Sequence, residues 1–225
     1  MGQGISEVLP FAIGIAISPI PIVAIILILF STRARVNGPV FLAGWVVGLS
    51  AAAALVYALS RAASVGSDST SSDTTSWGKI LLGIMLLGLA RRSWAKRPKA
   101  GEEPALPRWM NSVETISPLR AFELALLLSV VNPKNLALLL GAVGGLAQLD
   151  LPTDDAVTAL AVFVAVASLS IVIPVAYNLF GGEHARANLD DMKVWLTVHN
   201  SAVMAVLFLV FGVVLISRGI GPLSA

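Results

Sequence analysis

The chain has no cysteine, only two histidines, and charged residues at just 12% of its 225 positions. Without cysteine there can be no disulfide framework, thiolate metal site or cysteine nucleophile. General acid–base or metal chemistry needs convergent carboxylates or histidines. Two histidines and no acid pair within an apolar run offer almost none, so the sequence is read as that of a non-enzyme with no metal or cofactor. Nor is there a cluster of Lys and Arg interleaved with aromatics on a soluble face, which argues against a nucleic-acid partner.

What the chain does have is apolar residues. They make up 56% of it, and the mean hydropathy is +0.85, far from the balance of a soluble domain. The reading is an all-α integral membrane protein. Six apolar segments stand out, at 8–30, 40–59, 77–94, 119–146, 157–180 and 194–217. Each is near the roughly 20 residues a helix needs to cross the hydrocarbon core. They lack the period-two alternation of a barrel strand, and helices satisfy their own backbone polar groups in lipid. The first segment has no positively charged leader and no small-x-small cleavage site, so it is expected to be a retained span.

Lys and Arg set the orientation. With the amino terminus outside, Arg33, Arg35, Arg91, Arg92, Lys96, Arg97, Lys99, Arg108, Arg120, Arg186 and Lys193 fall in or beside cytoplasmic loops. Arg61, Lys79 and Arg218 fall outside, with the acidic turn Asp150, Asp154, Asp155. The positive-inside rule therefore predicts both termini outside. The Ser/Thr-rich stretch 66–76 reads as a flexible external loop. A linker over 95–118, with Pro98, Pro104 and Pro107, separates a first three-helix half, 1–94, from a second, 119–225. Ser117-Pro118 reads as an N-cap followed by proline at the first helical position. The basic run 91–99 is a topology anchor or a site for anionic lipid headgroups.

The halves look like a repeat. Aligning Pro19 with Pro133, an offset of 114 (133 − 19), lays all three segments of one half on those of the other. An odd number of spans per half inverts one relative to the other, as in inverted-repeat transporters, whose broken helices meet near the midplane.

Two segments carry such breaks. The first contains Gly14-Ile15-Ala16-Ile17-Ser18-Pro19-Ile20-Pro21; the fourth contains Ser129-Val130-Val131-Asn132-Pro133-Lys134-Asn135. Each proline removes a donor and frees the carbonyl four residues earlier, here Ile15, Ile17 and Ser129. Such backbone is tolerated at membrane depth where it is buried or lines a wet cavity, so the breaks are expected to face each other around a small polar chamber. A plain proline kink is the alternative for Pro19 and Pro21. It fits the second break less well, because a kink does not require a lysine.

An ionisable residue at that depth costs roughly 2.5–3.5 kcal/mol on insertion scales and is read as functional. Lys134 is thus the expected centre of a substrate site that includes Ser18, Pro19, Pro21, Asn132, Pro133 and Asn135. No deep carboxylate neutralises it. Glu7 is near the outer end of the first segment. Glu123, eleven residues before Lys134, lies roughly 16 Å away along a continuous helix. Either Lys134 rests neutral or an anionic substrate headgroup supplies the charge. Lys134, Glu123 and His199 are the proton-coupling candidates, although a histidine in the place of His199, opening the sixth helix, is more often a solvated helix-end residue. Pro174 and Asn178 add a candidate second kink. Gly44-x-x-x-Gly48 and Gly141-x-x-x-Gly145 read as close-packing faces.

The Pro-x-Pro break, the Asn132-Pro133-Lys134 motif and the six-segment length together resemble the LysE superfamily of small exporters. The stretch Val131-Asn132-Pro133-Lys134-Asn135-Leu136-Ala137-Leu138 and the Arg-rich linker are most similar to its GAP or Sap branch. Those are the glycopeptidolipid- and sulfolipid-addressing proteins. The resemblance implies an inner-membrane exporter, often a homodimer, driven by the proton gradient. The chain agrees in having no G-x-x-x-x-G-K-[ST] phosphate loop. It departs from amino-acid-exporting relatives in lacking a deep acid to hold an ammonium, which favours an anionic or amphipathic envelope lipid or its precursor. An accessory or scaffold role in envelope-lipid assembly, and export of a small amino-acid-like solute, are the competing readings.

Overall fold

In hydrocarbon every backbone polar group must find its partner within the protein, and helices are the local solution this sequence takes. The computed structural model describes residues 2–65, 70–98, 113 and 115–223. It contains α1 (Gly2–Ala16), α2 (Pro19–Leu29), α3 (Ala34–Val65), α4 (Thr70–Ala95), α5 (Pro118–Val130), α6 (Pro133–Ala147), α7 (Thr153–Phe180) and α8 (Gly182–Leu223). Among the described residues no strand occurs.

The first and fourth apolar segments are each split in two. α1 and α2 meet at 54°, α5 and α6 at 58°. Single helices long and apolar enough to cross a membrane are α3, α7 and α8, and the two bent pairs raise the number of candidate spans to five among the described residues. Six were expected. The segment 77–94 falls on α4, which does not meet that test; Lys79, Arg91 and Arg92 interrupt its apolar run.

α4 is held by α8 instead. The backbones approach closely at glycine: a Cβ on Gly83 would lie 2.7 Å from the Gly212 carbonyl, and one on Gly219 would lie 2.7 Å from the Ser76 carbonyl. This packing carries α4 back to Thr70, so the expected flexible loop at 66–76 is helical from Thr70 onward, with Ser76 buried. Positions 66–69 lie outside the described residues, as do 99–112 and 114 of the linker, with Lys99, Pro104, Pro107 and Arg108. The linker's end behaves as the sequence implied. Ser117 caps α5, its Oγ accepting from the Arg120 N–H at 3.4 Å, with Pro118 at the first helical position.

Elsewhere α3 lies against α5, and α1 lies against α6 and α7. Gly44 sits against the Phe122 carbonyl and Ala125, as a close-packing face should. The core runs through the bundle centre, with Phe11, Ile15, Phe41, Trp45 and Phe163 fully buried. Large apolar side chains also cover the outside, Phe180 at 87% and Leu81 at 70% exposure. In water that surface would be an aggregation liability. In a bilayer it is the lipid-facing perimeter, which makes this a membrane protein.

Gly83→Ala is expected to lower unfolding stability in detergent by about 1–3 kcal/mol, because its Cβ meets backbone that cannot give way. Gly88→Ala, with open space at its Cβ, should be neutral or stabilising by up to about 1 kcal/mol. Equal thermal or denaturant midpoints for the two variants would refute the α4–α8 contact.

Candidate functional site at two helix breaks

The breaks are built alike. Ser18 is the N-cap of α2 with φ −72° and ψ 112°, and Asn132 is the N-cap of α6 with φ −63° and ψ 116°. Each is followed by proline at the first helical position. Their side chains differ in outcome. Asn132 Oδ1 accepts from the Lys134 N–H at 3.1 Å. Although Ile20 stands where Lys134 stands in the second break and only the following position, Pro21, lacks an N–H, Ser18 Oγ makes no cap hydrogen bond. It is left buried, 1% exposed, with no partner among the described residues.

At the end of α1 the Ile17 N–H donates to the Ile13 carbonyl at 3.0 Å, and the Ser18 N–H turns to Ile15 at 3.1 Å. The Gly14 carbonyl thereby loses its helical donor. Lys134 replaces it, Nζ donating to Gly14 O at 2.6 Å across 120 residues. The expectation that Pro19 would expose Ile15 is corrected by one residue: Ile15 accepts from Ser18, and the oxygen used is that of Gly14.

At the end of α5 the expectation for Ser129 holds. Asn135 Nδ2 donates to the Leu128 carbonyl at 3.1 Å and the Ser129 carbonyl at 3.5 Å, the two oxygens whose donors would have been Asn132 and Pro133. Asn135 Oδ1 is buried without a partner. Gly48 of α3 lies directly against Ser129 Oγ, so the small residue closes this side of the site. The two breaks thus meet through Lys134 and Gly14.

The site therefore contains Lys134, 1% exposed and using one donor, beside two unpartnered buried polar atoms, Ser18 Oγ and Asn135 Oδ1. Among the described residues no carboxylate pairs with Lys134; the ion pairs lie elsewhere. Of the carbonyls released at the C-terminal ends of α1 and α5, that of Gly14 takes Lys134 and those of Leu128 and Ser129 take Asn135. The N-terminal, positive ends of α2 and α6 also point into the breaks.

The other candidates do not join it. Glu123 is exposed on α5, and the 58° bend interrupts the continuous helix assumed between it and Lys134. His199 does not open a helix, because α8 begins at Gly182 and is continuous there. It is exposed, with Nδ1 2.8 Å from the Trp195 carbonyl and its ring stacked on Trp195 at 4.5 Å. α7 continues through Pro174 without interruption. Gly14, by contrast, was not singled out as a site residue, and neither was Trp45. Trp45, whose buried Nε1 has no partner among the described residues, precedes Gly48 by about one turn of α3; an indole N–H inside an apolar run was the available signal.

The family model described as Sap, sulfolipid-1-addressing protein, matches residues 8–221. The chain belongs to the Sap family. No curated protein and no solved structure matches it. The match runs through both breaks, so every residue of the site just described lies within the Sap region.

Ser18→Ala is expected to leave stability unchanged or raise it slightly, since it removes an unpartnered buried hydroxyl. Asn135→Leu should cost about 1–3 kcal/mol by stranding two carbonyls. Denaturant unfolding in detergent checks both, and a loss at Ser18 as large as at Asn135 would contradict the assignment.

Proposed function

We propose that this Sap protein is an inner-membrane carrier that moves an anionic or amphipathic envelope lipid, or its precursor, outward. The observation that carries the reading is Lys134, buried between two helix breaks without a counter-charge among the described residues. The substrate headgroup is the missing anion. Ser18 Oγ, Asn135 Oδ1 and the spare Lys134 donors orient it, and Asn132 and Pro133 hold the backbone open for it. Pro19 and Pro21 do the same in the first half. Proton coupling follows if the lysine exchanges a proton as the headgroup arrives and leaves. The family's description, sulfolipid-1-addressing, agrees with a lipid cargo.

Alternating access needs two halves that rock about a fixed site. We take residues 1–94 and 119–225 as those halves, inverted about the breaks. The supporting pattern is reciprocal packing: α1 rests on α7 as α5 rests on α3, and α4 pairs with α8. Exchanging the halves interchanges the first two contacts and maps the third onto itself. The termini are assigned to the outer face from the Lys and Arg bias. In agreement with it, Arg61, Lys79 and Arg218 gather at the bundle end that holds Glu7, Gln148 and Asp150.

The test is lipid movement in liposomes, with and without an imposed pH gradient, for wild type and Lys134→Met at matched yield and thermal stability. Gradient-dependent transfer of a labelled sulfated or phosphorylated lipid is expected in wild type, with at least a tenfold loss in the variant, about the cost of one charge-assisted contact. Wild-type rates in Lys134→Met would refute the carrier site. A folded protein that moves no lipid would point to an accessory role.

A further inference from the structure

The seam that leads away from Lys134 ends in a second group of charges. α1 and α6 pass each other along matched faces, Glu7, Phe11 and Gly14 on one and Lys134, Leu138, Gly141 and Gly145 on the other. A Cβ on Gly14 would lie 3.0 Å from Leu138, one on Gly141 would lie 2.9 Å from Phe11, and one on Gly145 would strike the Glu7 carboxylate. Three glycines thus bring the helices into close register. Lys134 sits at one end of that register and Glu7 at the other, seven residues or about 10 Å of helix rise from Gly14.

Among the described residues, Glu7 stands near two cations. Arg218 of α8 forms an ion pair with Glu7, and its guanidinium lies 5.1 Å from the Phe11 ring centroid. Lys79 of α4 feels the charges of both Glu7 and Arg218. Its Nζ donates not to a carboxylate but to Gln148 Oε1, at 2.9 Å, on the residue that caps α6. One carboxylate therefore serves two cations, in a place where the Arg218 and Glu7 side chains are only 30% and 21% exposed. Between this group and Lys134 stands Phe11, fully buried, its ring 5.6 Å from that of Phe211.

We propose that Arg218 and Lys79 form a second, outer anion site, which takes a sulfate- or phosphate-type oxyanion in place of Glu7 and Gln148. The guanidinium fork matches two oxygens of such a group, and the Lys79 ammonium supplies a third contact. Glu7 is the resident competitor that keeps the site closed when no ligand is there. Phe11 divides this station from the one at Lys134, so that a headgroup leaves the first before it engages the second. The sequence of two stations rests on the carrier reading; the outer site itself does not.

The experiment is equilibrium binding of radiolabelled inorganic sulfate to the full chain in phosphatidylcholine nanodiscs at fixed ionic strength. It is done in a Lys134→Met background, which removes the inner site. Saturable binding is expected. Arg218→Gln combined with Lys79→Gln should weaken it about tenfold or more, and Glu7→Gln should tighten it about threefold or more by removing the competitor. The gain in Glu7→Gln is a readout that a merely structural ion pair would not produce, and it guards against loss of fold in the double variant. No saturable binding in the parent, no loss in the double variant, or unchanged or weaker binding in Glu7→Gln would each overturn the proposal. Displacement of sulfate when a sulfated glycolipid is added to the nanodisc identifies a lipid headgroup as the ligand; its absence identifies the free oxyanion. Because transport is measured separately, failure of the carrier reading leaves this binding result standing, and failure here leaves the Lys134 flux result standing.

Discussion

The hydrogen bond from Lys134 to the Gly14 carbonyl joins two backbone interruptions that lipid would otherwise penalise. An unsatisfied carbonyl in hydrocarbon costs several kcal/mol, and each break produces at least one. At α1 the repair comes from the other half of the chain, through a lysine 120 residues away. At α5 it comes from Asn135 within the same half. The helices around the breaks are thus tied together by the same groups that give the site its polarity.

That economy decides which polar atoms the site has left to offer. Broken helices present carbonyls and N–H groups to the same space, and by charge alone the two ends would cancel. Here the Gly14, Leu128 and Ser129 carbonyls are occupied by Lys134 and Asn135, and the lysine keeps spare donors. Ser18, at the equivalent cap position, leaves its hydroxyl free in the interior. Prolines in this protein do more than bend helices: Pro133 removes the donor of the Ser129 carbonyl, which Asn135 then takes up.

Membership in the Sap family covers nearly the whole chain, and the packing explains how a small chain builds a membrane body. Glycine contacts let α4 lie on α8 and α3 on α5 at backbone distance, and let side chains of α1 seat against the backbone of α6. Close approach of this kind substitutes for the hydrophobic effect, which offers little between helices already in lipid. It also holds α4 in place although its polar and basic residues make it a poor span by itself.

Much was legible before any coordinates. Helical membrane character follows from composition, because runs of about 20 apolar residues have one stable form in a bilayer. Both breaks follow from proline, whose missing N–H acts locally, and the weight on Lys134 follows from the cost of burying a charge. Tertiary structure decided what depends on contacts distant in sequence. It chose Gly14 over Ile15 as the lysine's acceptor, because Ser18 turns its N–H to Ile15. It extended α4 into a stretch that reads as loop, because α8 supports it. It set Glu123 and His199 apart from the site, through the bend at Asn132 and the unbroken course of α8. It also brought Glu7, Lys79 and Arg218 together from three helices. Local chemistry names the residues that cannot be ignored, whereas which of them meet is a property of packing, and no periodicity encodes it.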